Sequence, residues 1–191
     1  MSIDEKASWN QKYSEGSHAS LEPDPLLESA YEEFLSGRPA GTALDVAGGV
    51  GRHAIWLAQR SWRVKLLDIS EVGIQHANEN AERTGTAGSI STQICDLNTM
   101  QDLGRQQYDL VLVFFFLQRE HFPALLSALK PGGFLIYKTY TTEQQRFSGG
   151  PSHPMFLLGP NELLHAFSSL RVLHYHETIW EKGVAELVAR K

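Results

Sequence analysis

The order of apolar and polar positions divides this chain into short, continuous apolar runs that alternate with stretches of helical period. Residues 42–47 are the first clear run, read as a buried strand. It breaks at Gly48, Gly49 and Gly51, and residues 52–60 continue as a helix with Ala54, Ile55, Leu57 and Ala58 inward. Residues 64–68 predict a second strand, Ser70 a helix cap and residues 71–83 the helix it opens. A third strand over 90–95 ends in Asp96. Residues 108–115 are apolar almost throughout, the pattern of a central parallel strand covered on both faces. A helix over 119–129, the turn Lys130-Pro131-Gly132-Gly133 and a strand over 134–140 follow. Beyond a long loop, 141–159, a last helix opens at Pro160, and strands over 171–177 and 184–189 close the chain. Ahead of the first strand, residues 1–24 are polar with Trp9 and Tyr13 on one helical face. Glu22-Pro23-Asp24-Pro25 stops that segment, and 26–35 reads as an amphipathic helix with Leu27, Ala30, Tyr31 and Phe34 inward. Alternating strands and helices predict an α/β protein with a parallel sheet.

The chemistry concentrates at the glycine turn. Only a residue without Cβ takes positive φ freely and lets backbone N–H groups approach a ligand closely. Those N–H groups and the helix start favour a carboxylate or phosphate by roughly 0.3–1 kcal/mol. Two ligand classes use such a turn. Gly49-x-Gly51-x-x-Ala54, with Asp68 at the end of the next strand, fits the dinucleotide pattern of an NAD(P) oxidoreductase. That class has no need of Asp45 inside strand 1 or of Asp96 at the end of strand 3.

The fuller set, Asp45-x-x-x-Gly49-x-Gly51, then Asp68, then Asp96-Leu97, resembles class I S-adenosylmethionine-dependent methyltransferases, in which the turn usually reads acidic-x-Gly-x-Gly-x-Gly; here Ala47 stands at the first glycine position. The Leu-Lys-Pro-Gly-Gly-x-Leu run ahead of strand 5 is a further point of likeness. The resemblance implies a single domain over 1–191, a Rossmann-like seven-stranded, mostly parallel sheet with a C-terminal antiparallel strand pair, and helices on both faces. It implies S-adenosylmethionine as cofactor, held by Asp45, Ala47, Gly48, Gly49, Gly51, Asp68, Ile69, Asp96 and Leu97. Asp68 would accept two ribose hydroxyls, Asp96 the adenine amino group, and the Leu97 N–H would meet a ring nitrogen. Phe114, in the run Phe114-Phe115-Phe116, could face the sulfonium by cation–π attraction worth roughly 0.5–2 kcal/mol. In the small tellurite-resistance-like branch, a Trp-Asn-x-x-Tyr segment such as Trp9 to Tyr13 folds over the methionyl end, which makes 1–24 a lid and 141–159 a loop over the site.

Composition narrows the acceptor. The net charge is −5 without a Lys/Arg cluster, which counts against a broad nucleic-acid or anionic-membrane surface and leaves a small molecule as the expected partner. The 42% hydrophobic and 20% charged content belongs to an ordered globular chain. One cysteine, Cys95, allows no internal disulfide and is expected in the core, and Met-Ser-Ile-Asp-Glu-Lys lacks a leader pattern, so the cytoplasm is the expected location. Acceptor contacts are sought above the strand ends, at Gln118, Arg119, Tyr137, Thr139, Arg146 and His153, with Arg119 and Arg146 suited to a small anion. No catalytic base stands out and no metal is expected, His174-x-His176 being only half a site. Proximity and desolvation would then drive an in-line transfer. A cofactor-binding partner protein without catalysis is the remaining alternative.

Overall fold

The computed structural model describes residues 2–100 and 102–191. The chain divides after residue 101 into two compact units, and the strands form one seven-stranded sheet of order β3-β2-β1-β4-β5-β7-β6.

In the first unit, α1 (Ser2–Ser14), α2 (Pro25–Ala30), β1 (Thr42–Val46), α3 (Arg52–Ala58), β2 (Arg63–Asp68), α4 (Glu71–Arg83) and β3 (Ile90–Ile94) follow in order. Asp24 caps α2, its Oδ1 accepting from the Leu26 N–H at 3.0 Å, and Pro25 supplies a preset φ at the first helical position. The helix expected over 26–35 is not uniform: Tyr31–Leu35 widens to a π-helical turn, in which the Ser36 N–H reaches the Tyr31 carbonyl. Ala43, Leu44, Asp45 and Val46 are all buried, as in a parallel strand covered on both faces. The parallel pairings β1–β2 and β2–β3 bring the ends of the three strands to one edge.

The second unit holds β4 (Tyr108–Phe114), α5 (Phe122–Ala128), β5 (Leu129–Tyr140), α6 (Glu162–Ala166), β6 (Arg171–Thr178) and β7 (Val184–Arg190). The helix expected over 119–129 begins as a 3₁₀ turn, Arg119–His121, and becomes α-helical at Phe122 with Pro123 in its first turn. The Lys-Pro-Gly-Gly turn lies inside β5 as an outward bulge. Between the pairs Tyr108↔Leu129 and Leu110↔Phe134, five residues of β5 advance against two of β4, and Gly132 accommodates the excursion at φ 81°. β7 runs antiparallel between β5 and β6, giving the antiparallel C-terminal pair that the sequence predicts. Rings of Tyr137, Phe122 and Phe167 pack within 6.1 Å of one another in this unit's core.

The loop 141–159 is ordered by short 3₁₀ turns, Thr142–Arg146 and Pro154–Phe156, and by a bridge between Thr141 and Leu158. Buried Gln144 ties it to the β6–β7 hairpin: its Nε2 donates to the Gly149 carbonyl and its Oε1 accepts from the Gly183 N–H at 3.0 Å. A Cβ on Gly183 would lie 2.2 Å from the Gln144 backbone nitrogen. Gly183→Ala is therefore expected to lower stability by about 1–3 kcal/mol through forced displacement of backbone, read as a lower Tm in thermal unfolding.

Candidate functional site

At the end of β1 the backbone turns through left-handed conformations: Ala47 has φ 56°, Gly49 55° and Gly51 84°. Ala47 thus occupies a position that a glycine would take without strain, at a cost of about 1 kcal/mol. The turn closes on itself by the Gly51 N–H to the Gly48 carbonyl at 3.0 Å, and on β2 by the Gly48 N–H to the Leu67 carbonyl at 3.1 Å. The missing side chains are a packing requirement. A Cβ on Gly48 would lie 2.8 Å from the Asp45 carboxyl and from Leu66, and one on Gly49 would lie 2.4 Å from the Tyr13 hydroxyl.

Asp68, at the tip of β2, fixes the turn. One carboxylate oxygen accepts from the Gly49 N–H and the other from the Ser70 N–H, each at 2.8 Å. Burial pushes its proton affinity up, while the hydrogen bonds from Ser70, Gly49 and Ile69 pull it down. Ser70 caps α4, its Oγ accepting from the Gly73 N–H at 3.0 Å, a bond worth about 1 kcal/mol.

Asp45 is in a different position. It is 1% exposed; the Ala54 N–H bonds its carboxylate, and Oδ2 has no partner. Burial drives its pKa up to about 7, Asp68 adds to the rise, and Arg52 opposes it. Arg52 escaped the sequence reading, although a signal existed. A cation at the first position of a helix is opposed by the helix dipole, so its presence directly after a glycine turn suggests a further partner there. It is felt electrostatically by Asp45, Tyr13 and His18.

Helix α1 lies over this edge of the first unit. Lys6 pairs with Glu71, Asn10 Oδ1 accepts from the Ser70 hydroxyl at 2.6 Å, and Glu5 accepts from the Asn98 amide at 3.2 Å. Trp9 and Tyr13 stack with centroids 5.6 Å apart, and His18 tilts against both. Tyr13 is buried against Gly49 and Gly73. Burial, then Asp68 and Asp45, keep its hydroxyl protonated well above the ordinary tyrosine range. At the tip of β3, Asp96 is half-buried and its Oδ1 accepts from the Asn98 backbone and side chain, both at 2.9 Å, while Leu97 is buried and Ile69 half-buried. Cys95 is half-buried rather than in the core, because the strand ends at Ile94; burial raises its thiol to about 11.

In the second unit, Phe114 is the last residue of β4 and is buried. The strand breaks at Phe115, half-buried at φ 56°, whose ring lies 5.1 Å from that of Tyr140. A bulky aromatic in that conformation is an outlier of the kind found where a site demands it. The residues expected to touch an acceptor differ in what they have free. Tyr137, at 1% exposure, packs in the aromatic core, and its hydroxyl donates to the Phe116 carbonyl at 3.1 Å. Arg119 is committed to Glu162 and to the Met155 and Leu157 carbonyls, so it fastens the 141–159 loop. Thr139 is buried and Gln118 half-buried. Arg146 is exposed with Glu143 at 2.9 Å, and His153 Nδ1 accepts from the Met155 N–H at 3.2 Å. His174 lies 3.7 Å from Glu186, which pairs with Lys138 at 2.8 Å. Among the described residues no group of three or more His, Cys, Asp or Glu is placed to hold a metal.

The first unit's edge thus offers a Cβ-free bend, a buried carboxylate with an unshared oxygen for a cation, a cation after the bend for an anion, and carboxylates at two further strand tips. These fit an adenosyl amino acid bearing an ammonium, a carboxylate, a ribose and an adenine. The family described as methyltransferase domain matches residues 43–133. The chain is 29% identical over 146 residues to a probable S-adenosyl-L-methionine-dependent methyltransferase, TehB, of Haemophilus influenzae, covering 72% of this chain and 49% of that protein. It is 30% identical over 146 residues to the ribosomal protein L11 methyltransferase of Pelotomaculum thermopropionicum, covering 69% and 46%. The chain spans about half the length of these relatives. Its fold matches the crystal structure of TehB from Haemophilus influenzae with a TM-score of 0.76 at 18% identity, over 95% of this chain and 67% of that one. It matches geranyl diphosphate C-methyltransferase from Streptomyces coelicolor, solved with S-adenosyl-L-homocysteine, with a TM-score of 0.70 at 17% identity, over 99% and 97%.

Residues 43–133 match a methyltransferase domain, and the fold is that of the class I S-adenosylmethionine-dependent methyltransferases. Within that class its similarity runs to the TehB-like branch.

The electrostatics of Asp45 give a direct test. Its folded pKa is above the unfolded value, so burying the ionised form costs stability, starting near pH 4 and reaching its full extent above about pH 7. Asp45→Asn in the cofactor-free protein is expected to stabilise by on the order of 3 kcal/mol at pH 8, with a smaller gain at pH 5. Thermal unfolding at the two pH values measures it.

Proposed function

We propose that this chain transfers the methyl group of S-adenosylmethionine to a small-molecule acceptor. The observation that carries the cofactor half is the unshared, buried Oδ2 of Asp45 beside a turn with no room for a Cβ at Gly48 or Gly49. Asp45 pairs with the ammonium, and Arg52 with the carboxylate. Asp68, already fixed by Gly49 and Ser70, accepts ribose hydroxyls on its remaining lone pairs. Asp96 accepts the adenine amino group beside the Leu97 N–H and Ile69. Ala47, Gly48, Gly49 and Gly51 form the floor, Trp9 and Tyr13 the cover, and Phe114 the aromatic end of β4. In this reading 1–191 is one methyltransferase domain, with 1–24 a lid and 141–159 a loop over the site.

When bound, the cofactor supplies an electrophilic methyl on a sulfonium, open to in-line attack. The protein's part is to hold the reacting atoms close and dry, which in the best intramolecular cases lowers a barrier by about 7–11 kcal/mol. No base is required for a soft or anionic nucleophile. Arg146 and His153 are the acceptor-side candidates whose polar groups face solvent; Arg119 and Tyr137 act as positioning residues through Glu162 and the Phe116 carbonyl.

The small-molecule acceptor is supported by the net charge of −5 and the lack of a Lys/Arg cluster in the sequence. Relatives named as ribosomal RNA, tRNA and ribosomal protein methyltransferases mark the competing acceptors. The same reading places the protein in the cytoplasm; among the described residues no helix is long and apolar enough to cross a membrane. Small thiols, selenite, tellurite and phenols, assayed by release of S-adenosylhomocysteine beside total RNA and ribosomal protein, separate the classes. Turnover with one of the small nucleophiles is expected, and turnover confined to RNA or protein would replace the acceptor. Asp96→Ala is expected to weaken S-adenosylhomocysteine binding about tenfold in calorimetry, the loss of a charged hydrogen-bond acceptor. Unchanged affinity would remove Asp96 from the site.

A further inference from the structure

The polar groups around Asp45 leave it with an unusual electrostatic account. Among the described residues the hydrogen bond to its carboxylate comes from the Ala54 N–H, and Oδ2 is buried without a partner. The charged groups that face it are Arg52 at the start of α3, in its favour, and Asp68 at the tip of β2, against it; the Tyr13 hydroxyl from α1 is neutral and lies across the turn. An ionised carboxylate in such a place lacks both water and a close counter-charge, so the neutral acid is the cheaper form. A ligand that brings an ammonium to Oδ2 reverses that preference.

We propose that Asp45 is a proton-exchanging counter-ion: the free protein holds it as the neutral acid, and arrival of the cofactor's ammonium expels its proton to water. The step balances simply. The Oδ2–H bond breaks, the proton passes to solvent, and the carboxylate that remains pairs with the ammonium, with no change of oxidation state. This inference rests on the cofactor reading above and adds regulation to it, because cofactor occupancy then falls as the medium acidifies. The pKa of about 7 puts the change in the near-neutral range. Proton release is largest below that value and disappears above it.

Titration calorimetry with S-adenosylhomocysteine tests this on the whole chain between pH 5.5 and 7, where the ligand's own amine, ordinarily titrating at about 7.7–8.0, stays charged. Pairs of buffers with low and high ionisation heats count the protons. Expected are close to one proton released per ligand at pH 5.5 and an affinity about tenfold weaker there than at pH 7. In Asp45→Asn both the release and the pH slope should vanish. Binding by the wild-type protein without proton release overturns the proposal and leaves the cofactor reading standing. Release that persists in Asp45→Asn, with Asp68 or His18 as its source, overturns it also. No heat at any pH removes the cofactor reading and this inference with it. Should Asp45→Asn fail to fold, the wild-type buffer series decides alone, together with a carbon-13 titration of the Asp45 carboxyl, whose midpoint near the ordinary aspartate value would overturn it.

Discussion

The carboxylate of Asp68 holds the glycine turn in shape. It joins two backbone segments, the bend after β1 through Gly49 and the cap of α4 through Ser70. Charge-assisted bonds of this kind are roughly twice as strong as neutral ones, and they hold a conformation that contains three left-handed residues. The N–H groups of Gly49, Ser70 and Ile69 offset part of the cost of burying the Asp68 carboxyl at 4% exposure. Asp45 is buried more deeply without equal provision, and the contrast between the two carboxylates follows from their hydrogen bonds rather than their residue type.

Helix α1 makes the surroundings of the turn drier than the parallel strands alone would. Its contacts run along one side: Glu5 to Asn98, Lys6 to Glu71, Asn10 to Ser70, Tyr13 to Gly49 and Gly73. Each touches an element that also presents a strand-tip carboxylate or its cap. Individually these exposed polar contacts contribute a few tenths of a kcal/mol. Among the described residues of α1 Tyr13 is the buried ring, and the glycines that make room for it shape that attachment.

The sequence made the strands and the turn legible because both depend on short-range facts. Apolar runs bounded by glycine read as covered parallel strands, and Ser70 read as a cap because a hydroxyl there has one obvious donor within reach. The boundaries that shifted did so where distant packing or extra chain intervened. The helix over 26–35 widened at Tyr31, the Lys-Pro-Gly-Gly turn became a bulge within β5 because β4 pairs on both sides of it, and strand 3 stopped short of Cys95. Among candidate acceptor residues, Tyr137 and Arg119 were chosen by type and position along the chain, and neither reveals that its hydroxyl or guanidinium is already bonded within the protein.

The sequence by itself determined the α/β class, the glycine bend and the three acidic positions, since these follow from residue type, spacing and the lack of a Cβ. Tertiary structure alone decided which carboxylate is held by backbone N–H groups, which keeps an oxygen without a partner, and which ring covers the bend. Those outcomes depend on the distances between groups far apart in the chain and on the water excluded when they meet, and a linear pattern carries neither.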